Sequence, residues 1–175
     1  MARPTPERVD PWLLSEQEAV LEGRIALSAL PRLAPLLRES GGEVSYRFRF
    51  GRDEHGRPVI HSSVKAELRL ECQRCLNSMS HRVDAEGALA LVRGPLEAEQ
   101  LPRELDPLLL QEKEPLQVRE LVEDELLLSI PVSPRHAAGS CSGHAHREPE
   151  EPATQQEKPN PFAVLAALKT GGNHS

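Results

Sequence analysis

The sequence predicts an α+β domain, with a mostly antiparallel β-sheet, a covering helix and a tethered C-terminal helix. Three long stretches, 44–50, 59–72 and 81–93, alternate apolar with polar residues, which is the pattern of a half-buried strand. The turn residues between these stretches favour hairpins and therefore antiparallel pairing. A later stretch, 118–130, repeats apolar residues at helical spacing, which predicts one helix lying on the sheet.

Composition limits the class of protein. The chain has 175 residues, 38% of them hydrophobic and only 3% aromatic, so its core must be built mainly from Leu, Val and Ala. No apolar run is long enough to span a membrane, and residues 1–6 lack the apolar centre of a signal peptide. We therefore expect a cytoplasmic protein without a membrane partner, in a compartment where thiols stay reduced.

The first elements of the chain are short. Residues 1–22 form a predicted N-terminal arm, in which Ser15 and Glu18 match a capping box for a short helix. A strand over 24–27 precedes a helix predicted over 31–39, which begins with a proline and ends before two glycines. A second proline inside this stretch disturbs the helical pattern, because proline lacks a backbone N–H.

The long strands include a hairpin that carries two cysteines at its tip. The first long strand has one apolar face, made of Val44, Tyr46, Phe48 and Phe50. Alternation along 59–72 places Cys72 on the core side at the end of that strand. Cys72 and Cys75 then form a Cys-x-x-Cys turn before the strand 81–93. A short strand over 108–111 completes the predicted sheet.

Composition divides the rest of the chain into regions. After the arm, residues 23–142 make up the predicted α+β domain with a Cys/His cluster. Residues 143–158 are rich in Glu, Pro, His and Gln and nearly devoid of apolar side chains, so we expect a disordered linker. Residues 159–169 predict an amphipathic helix that covers the sheet or binds a partner. Its apolar side carries Phe162, Leu165 and Leu168.

Three cysteines and one histidine form a candidate metal site. Their positions are Cys72, Cys75, His136 and Cys141. Three thiolates and one imidazole suit zinc in tetrahedral geometry, and four protein ligands leave a structural site without an open position. Paired thiols in a reducing compartment have few other uses. We therefore predict a structural zinc ion that fastens the hairpin tip to the segment after the helix.

Other interpretations of these residues stay open. The thiols can be small buried hydrophobes without a metal, and His144 or His146 can serve as alternative ligands. A thioredoxin-like redox role needs the first cysteine at a helix N-terminus within a βαβ unit, whereas this pair follows a strand. The acidic run Glu123-Asp124-Glu125 can be an acid–base site, but no nucleophile or phosphate loop accompanies it. A solvated helix face, with Glu125 bonding a neighbour, is the favoured interpretation of that run.

Charge indicates a nucleic-acid surface only weakly. The net charge is −6, whereas segment 43–93 contains nine basic and seven acidic residues. Arginines of the polar sheet face and the Cys-x-x-Cys turn can meet a phosphate backbone, and they are Arg47, Arg49, Arg69, Arg74 and Arg82. Intervening glutamates and the lack of stacking aromatic residues favour ordinary surface charge at least as strongly. RNA held there would be bound through its backbone, with marked salt sensitivity.

Three motifs in one order carry a resemblance to a known family. They are Leu70-Glu71-Cys72-Gln73-Arg74-Cys75-Leu76, the run that starts Leu121-Val122-Glu123 and ends Pro134-Arg135-His136, and the run that starts Lys158-Pro159-Asn160-Pro161-Phe162. In order and spacing they resemble the bacterial YceD proteins, known as large ribosomal RNA subunit accumulation proteins. The resemblance spans roughly residues 20–169.

The resemblance implies a non-enzymatic role in the synthesis, processing or stability of 23S large-subunit ribosomal RNA, in ribosome biogenesis. The implied partner is that RNA or its precursor, reached directly or through a ribosomal or processing protein, with no small-molecule substrate. The family's Cys-x-x-Cys falls on Cys72 and Cys75, and its Pro-x-His followed by Cys falls on Pro134, His136 and Cys141. No catalytic residue is implied.

This sequence departs from the family pattern at two places. Ala137-Ala138 stands where an acidic residue is frequent, and the polar end 170–175 replaces a basic tip, which weakens an RNA contact there.

Two other classes of function stay open. One is a protein-binding adaptor that uses the C-terminal helix. The other is an enzyme, either a metal-dependent hydrolase, which needs an open metal position, or a thiol oxidoreductase.

Overall fold

The computed structural model describes residues 7–137 and 139–141, and a β-sheet lies at its centre. Its elements in chain order are β1 Arg8–Val9, α1 Pro11–Glu16, β2 Val20–Ala26, β3 Glu43–Arg52, β4 Pro58–Glu71, β5 Ser78–Val92, α2 Pro95–Ala98, β6 Asp106–Leu109, β7 Leu116–Gln117 and α3 Val118–Ser129. Two 3₁₀ turns, Leu27–Ala29 and Ala34–Leu36, lie between β2 and β3. The three predicted long strands are present as β3, β4 and β5, with ends that differ by a few residues.

The sheet has five strands in the order β2-β3-β4-β5-β6. Strands β2 to β5 pair antiparallel and β6 joins β5 in parallel, which confirms the predicted α+β class with a mostly antiparallel sheet. The β4–β5 hairpin runs from Val59 opposite Ala90 to Glu71 opposite Ser78. Strands β1 and β7 form a separate antiparallel ribbon. The long hairpin therefore ends at the Cys-x-x-Cys turn.

One face of the sheet is buried and the other is open to solvent. On β3 the alternation is as predicted, with exposed polar residues between the buried residues Val44, Tyr46, Phe48 and Phe50. Helix α3 packs on β4 and β5 at the buried face. Its core residues are Val118, Leu121, Val122 and Leu126. Burial of these apolar side chains is the main force that holds the helix to the sheet.

The helix predicted over 31–39 is wrong. The structure has only the 3₁₀ turn Ala34–Leu36 in this stretch. Its two prolines, Pro31 and Pro35, each lack the N–H group that an α-helix needs, and proline also disfavours helical geometry in the residue before it. The stretch is nevertheless anchored in the core, through the fully buried residues Leu27, Leu30 and Leu33.

A side chain of α3 binds two backbone N–H groups near the start of this stretch. The carboxylate of Glu123 accepts from the backbone N–H groups of Arg32 and Leu33, at 2.7 and 3.0 Å. Glu123 is only 2% exposed, and it also accepts from Nε of Arg32 at 3.0 Å. Since a buried carboxylate without donors would be costly, these three bonds fix the loop against α3.

The N-terminal helix begins earlier than the predicted capping box. Asp10 is the N-cap of α1, and its Oδ1 accepts from two backbone N–H groups of the first turn, at 3.0 and 3.1 Å. Ser15 lies inside the helix and donates to the carbonyl of Pro11, while Glu18 follows the helix with a φ of 49°. The capping box at Ser15 and Glu18 is therefore wrong, because Asp10 already supplies the cap.

The division of the chain into regions stays a prediction. The linker 143–158 and the C-terminal helix 159–169 lie outside the described residues. From residue 7 onward, the predicted arm 1–22 contributes β1, α1 and the start of β2. No helix within the described ranges is long and apolar enough to cross a membrane.

Candidate metal centre

The turn between β4 and β5, residues 72–77, carries the first two candidate ligands, and we call it the cysteine turn. Cys72 continues the inward alternation of β4 and is fully buried, while Cys75 is 9% exposed. Two backbone hydrogen bonds close the turn, from Cys72 N to Asn77 O at 2.9 Å and from Leu76 N to Cys72 O at 2.8 Å. Leu76 has a φ of 58°, a left-handed conformation that is unusual for a non-glycine residue. The turn therefore brings both sulfurs to one place.

The second pair of ligands lies on residues 130–141, which we call the return segment. The ring of His81 on β5 contacts the carbonyl oxygen of Ser129 at 3.2 Å, so the end of α3 lies beside the hairpin. Gln73 then donates its backbone N–H to the carbonyl of Pro134 at 2.8 Å. A turn closed by Ser140 N to Ala137 O, at 3.0 Å, follows His136. These contacts lay the return segment against the cysteine turn.

The four candidate ligands meet in one cluster. Their ligand atoms all lie within 4.8 Å of one another. Cys72 Sγ and Cys141 Sγ are 3.8 Å apart. His136 Nδ1 lies 3.5 Å from Cys75 Sγ and 3.7 Å from Cys141 Sγ. The predicted convergence of these side chains from two distant parts of the chain is present in the structure.

The distances of these three atom pairs agree with those of a tetrahedral zinc site. With Zn–S bonds near 2.3 Å and Zn–N bonds near 2.0 Å, tetrahedral angles place two sulfurs about 3.8 Å apart and a sulfur and a nitrogen about 3.5 Å apart. A disulfide needs two sulfurs about 2.05 Å apart, and all three cysteines are free. The four residues therefore lie close enough to hold a metal ion.

The surroundings of Cys72 lower the pKa of its thiol and so favour the thiolate form, which is the form that binds a metal. Burial alone raises the pKa of the Cys72 thiol, but backbone N–H groups of Cys75, His136 and Arg74 donate to the sulfur and outweigh that effect. The pKa of Cys72 consequently falls to about 5. Burial and the neighbouring thiols raise the pKa of Cys141. A bound cation would reverse that rise, because metal coordination deprotonates a thiol.

Two of the alternatives can be compared with this geometry. Cys72 follows strand β4 within an antiparallel hairpin, and no helix begins at Cys72 or Cys75. That placement differs from the helix N-terminus that a thioredoxin-like pair requires. The alternative ligands His144 and His146 lie outside the described residues.

The interpretation of the acidic run as a solvated helix face is wrong for Glu123, which is 2% exposed, whereas Asp124 is exposed. Glu123 caps the backbone of the loop before β3, as described above. Asp124 forms an ion pair with Arg32 at 2.7 Å. Glu125 accepts a hydrogen bond from Ser62 Oγ of β4 at 2.8 Å. Gly87 leaves room for this contact, since a Cβ at that position would lie only 3.0 Å from Ser62 Oγ. The structure thus gives each carboxylate a stabilising partner.

The predicted arginine surface is divided between two places. Four of its members are exposed on the open face of the sheet, namely Arg47, Arg49, Arg69 and Arg82, while Arg74 lies in the cysteine turn. Across the strands of the open face, Arg47 is paired with Glu22 at 3.6 Å and Lys65 with Asp84 at 3.0 Å. The open face is therefore a mixture of charges. The other predicted contacts, Phe162, Leu165 and Leu168, lie outside the described residues.

Sequence reasoning missed Arg38, which supports the cysteine turn. Its guanidinium donates to the carbonyl of Leu76 and forms an ion pair with Glu71, both at 2.7 Å. Its backbone N–H donates to the carbonyl of Arg69 at 2.7 Å. No local pattern could have indicated this role, because the contacts join residues that are far apart in the sequence.

Comparison with known proteins identifies the family. The profile of "Large ribosomal RNA subunit accumulation protein YceD" matches residues 60–169, a range that includes all four clustered residues. The protein of that name from Haemophilus influenzae is 31% identical over 169 residues, covering 94% of this chain and 95% of the relative. No solved structure gives a significant match. The chain thus belongs to the YceD family, which confirms the resemblance inferred from the three motifs.

Proposed function

We propose that this protein is a non-enzymatic factor that promotes accumulation of 23S large-subunit ribosomal RNA, through its synthesis, processing or stability. The observation that carries the proposal is the match to the YceD relative over 94% of the chain. The name of that relative describes accumulation of an RNA and not a catalysed reaction. The partner is the large-subunit RNA or its precursor in the cytoplasm, met directly or through a ribosomal or processing protein.

The proposal includes a structural zinc ion bound by Cys72, Cys75, His136 and Cys141. The mutual distances of their ligand atoms support it, as do the ligand types. Four protein ligands fill a tetrahedral site, whereas a hydrolytic zinc site keeps one position open for water. A closed site therefore favours a scaffold over a hydrolase.

The proposed role of the metal is to fix a surface. Only a few hydrogen bonds and the four-residue cluster connect the return segment to the cysteine turn. A zinc ion would make that connection strong enough to present side chains of both pieces in one arrangement. The predicted C-terminal helix, with Phe162, Leu165 and Leu168, is a second proposed partner contact.

The function is tested in cells by deleting the gene from the source bacterium. We expect a lower ratio of 23S to 16S ribosomal RNA, with restoration by the wild-type gene. A Cys72→Ser, Cys75→Ser double variant should restore it poorly, while Ser78→Ala, an exposed change at the start of β5, should restore it fully. An unchanged ratio in the deletion strain would contradict the proposed function.

The C-terminal helix is tested in the same strain. A chain that lacks residues 159–169 should restore the ratio poorly and recover fewer ribosomal or processing proteins after crosslinking. Unchanged partner recovery would remove the adaptor mode and leave the described domain as the contact surface.

A further inference from the structure

Two arginines lie beside the metal centre on the two pieces of chain that it joins. Arg74 stands between the ligands of the cysteine turn, and Arg135 directly precedes His136. Both residues are exposed. Neither forms an ion pair with a described acidic residue, and the one hydrogen bond of the Arg135 side chain runs from Nε to Ser133 Oγ at 3.3 Å. Each piece of chain thus carries one exposed cation that has no ion pair with a described acidic residue.

Cross-contacts on either side of each arginine hold the two together. Gln73, which precedes Arg74, donates its backbone N–H to Pro134, which precedes Arg135, at 2.8 Å. On the other side, Cys75 Sγ lies 3.5 Å from His136 Nδ1. The two arginine backbones are therefore fixed side by side, and the second of these contacts belongs to the metal centre.

The local charge balance leaves a positive surplus. Residues 72–77 and 130–141 contain no Asp or Glu. The acid at the end of β4, Glu71, is already paired with Arg38 at 2.7 Å. A Zn²⁺ ion with three thiolates and a neutral imidazole carries one net negative charge, which offsets only one of the two guanidinium charges. The open sheet face differs, because acids on neighbouring strands are interleaved with its cations.

We propose that Arg74 and Arg135 form a phosphate clamp for the backbone of ribosomal RNA, assembled when the metal centre closes. The clamp rests on the proposed function for the identity of its ligand. Guanidinium groups present forked N–H donors that match the oxygens of a phosphate. Contacts to the phosphate backbone position a protein on RNA without reading its sequence. The metal centre would have a part in binding, because it holds together the two pieces of chain that carry these cations.

The test measures binding of the zinc-loaded full chain to a fluorescently labelled single-stranded transcript of the large-subunit RNA, by anisotropy over a series of salt concentrations. The variant is Arg74→Gln with Arg135→Gln. The matched control is Arg103→Gln with Arg119→Gln, which removes two exposed arginines outside the cysteine turn and the return segment. Zinc content and melting temperature are measured for each protein.

Loss of two phosphate contacts should lower affinity roughly 10- to 30-fold near 0.1 M salt and reduce the slope of log affinity against log salt by about 1.4. The control should bind within about threefold of the wild type. If the double variant loses zinc, the single variants Arg74→Gln and Arg135→Gln replace it, each with about half the change in slope. An affinity and slope equal to those of the control, or no RNA binding by the zinc-loaded wild type, would overturn the clamp.

The clamp and the proposed function fail separately. A deletion strain with normal 23S RNA, combined with arginine-dependent RNA binding, contradicts the function and supports the clamp. A low 23S to 16S ratio that the Arg74→Gln, Arg135→Gln variant restores fully overturns the clamp and supports the function.

Discussion

Two turns of the same sheet are held in different ways, although both connect long antiparallel strands. Residues 53–57 join β3 to β4, and we call them the aspartate turn. Asp53 Oδ1 accepts from the backbone N–H groups of His55 and Arg57, both at 2.9 Å, and Oδ2 accepts from Nε of Arg57 at 2.6 Å. Gly56 takes the left-handed position, with a φ of 77°. This turn is stabilised by its own residues.

The cysteine turn depends on chain that lies far away in the sequence. The guanidinium of Arg38 donates to the carbonyl of Leu76, and the carbonyl of Pro134 accepts a hydrogen bond from the backbone N–H of Gln73. His136 and Cys141 complete the cluster of candidate ligands. A leucine, not a glycine, takes its left-handed position. Strain of this kind persists where the surroundings fix the backbone.

The difference between the two turns indicates which part of the fold should depend on metal binding. The aspartate turn makes its side-chain hydrogen bonds among its own residues, so we expect it to be independent of a ligand bound elsewhere. The cysteine turn is completed by a distant segment, so its conformation should respond to a metal ion bound by the four clustered residues. We therefore expect the surface beside it, including Arg74 and Arg135, to respond to metal binding.

The largest expected effect comes from removing a metal ligand. Cys72→Ser should lose zinc and lower the free energy of unfolding of the zinc-loaded protein on the order of 3 to 5 kcal/mol, because metal binding stabilises only the folded state. Urea unfolding with zinc in excess measures this. Ser78→Ala is the control and should stay within about 0.5 kcal/mol of the wild type. Equal stability of Cys72→Ser and the control would show that the cluster contributes nothing.

A smaller effect is expected from Arg38. Arg38→Ala removes the hydrogen bond to Leu76 O and the ion pair with Glu71. The side chains of Arg38 and Glu71 are 48% and 37% exposed, respectively. We expect a loss of about 1 to 1.5 kcal/mol, since an exposed ion pair adds little to the hydrogen bond. Hydrogen exchange should speed up in the cysteine turn and stay unchanged in the aspartate turn. Uniform acceleration in both turns would argue against a local role.

The aspartate turn should respond to acid. Burial raises the pKa of Asp53, but the N–H groups of Arg57 and His55 and the Arg57 guanidinium outweigh it, so the pKa lies below its usual value. Ionised Asp53 therefore stabilises the fold at a pH above its unfolded pKa of about 3.9, and this stability is lost as the pH falls through the lower folded pKa.

Asp53→Asn is the matching change. It should cost about 1 kcal/mol at neutral pH, through weaker hydrogen bonds in the turn. The difference from the wild type should shrink in acid below about pH 4. Unfolding measured across that pH range, with zinc content at neutral pH as the control, checks the prediction. A constant difference between the two proteins would contradict it.

The smallest effect is expected at Leu76. Leu76→Gly relieves the left-handed backbone but increases the entropy of the unfolded chain, and the side chain is 57% exposed. We expect stability within about 1 kcal/mol of the wild type and no loss of zinc. Gly56→Leu in the aspartate turn is the reverse change and should destabilise the protein by about 1 to 2 kcal/mol. Similar costs for the two changes would mean that the conformation of Leu76 is not strained.

The comparison of the two turns also explains what the sequence could predict. Alternation along each strand follows from a sheet with one buried face, so β3, β4 and β5 could be located from pattern alone. The four clustered residues could be named because the chain has only three cysteines, and because thiols together with an imidazole are typical zinc ligands. Their chemical types suggest that they lie close together, but only the tertiary structure shows that they do.

The wrong and missed predictions concern residues whose conformation or role depends on contacts with distant parts of the chain. The stretch 31–39 carries helix signals, but its prolines and the carboxylate of Glu123, which lies far along the chain, decide its conformation. Arg38 and Arg135 were missed because their importance comes from what they lie beside. A single sequence gives no pattern for such pairs.

The measurement that tests the central claim most directly is zinc X-ray absorption on the full-length protein, loaded to one zinc per chain as verified by native mass spectrometry. The account predicts three sulfur ligands near 2.3 Å and one nitrogen ligand near 2.0 Å. It also predicts that Cys141→Ser, on the return segment, removes one of those sulfurs. A chain that takes up no zinc, or a spectrum unchanged in Cys141→Ser, would contradict the joining of the two segments through a metal ion.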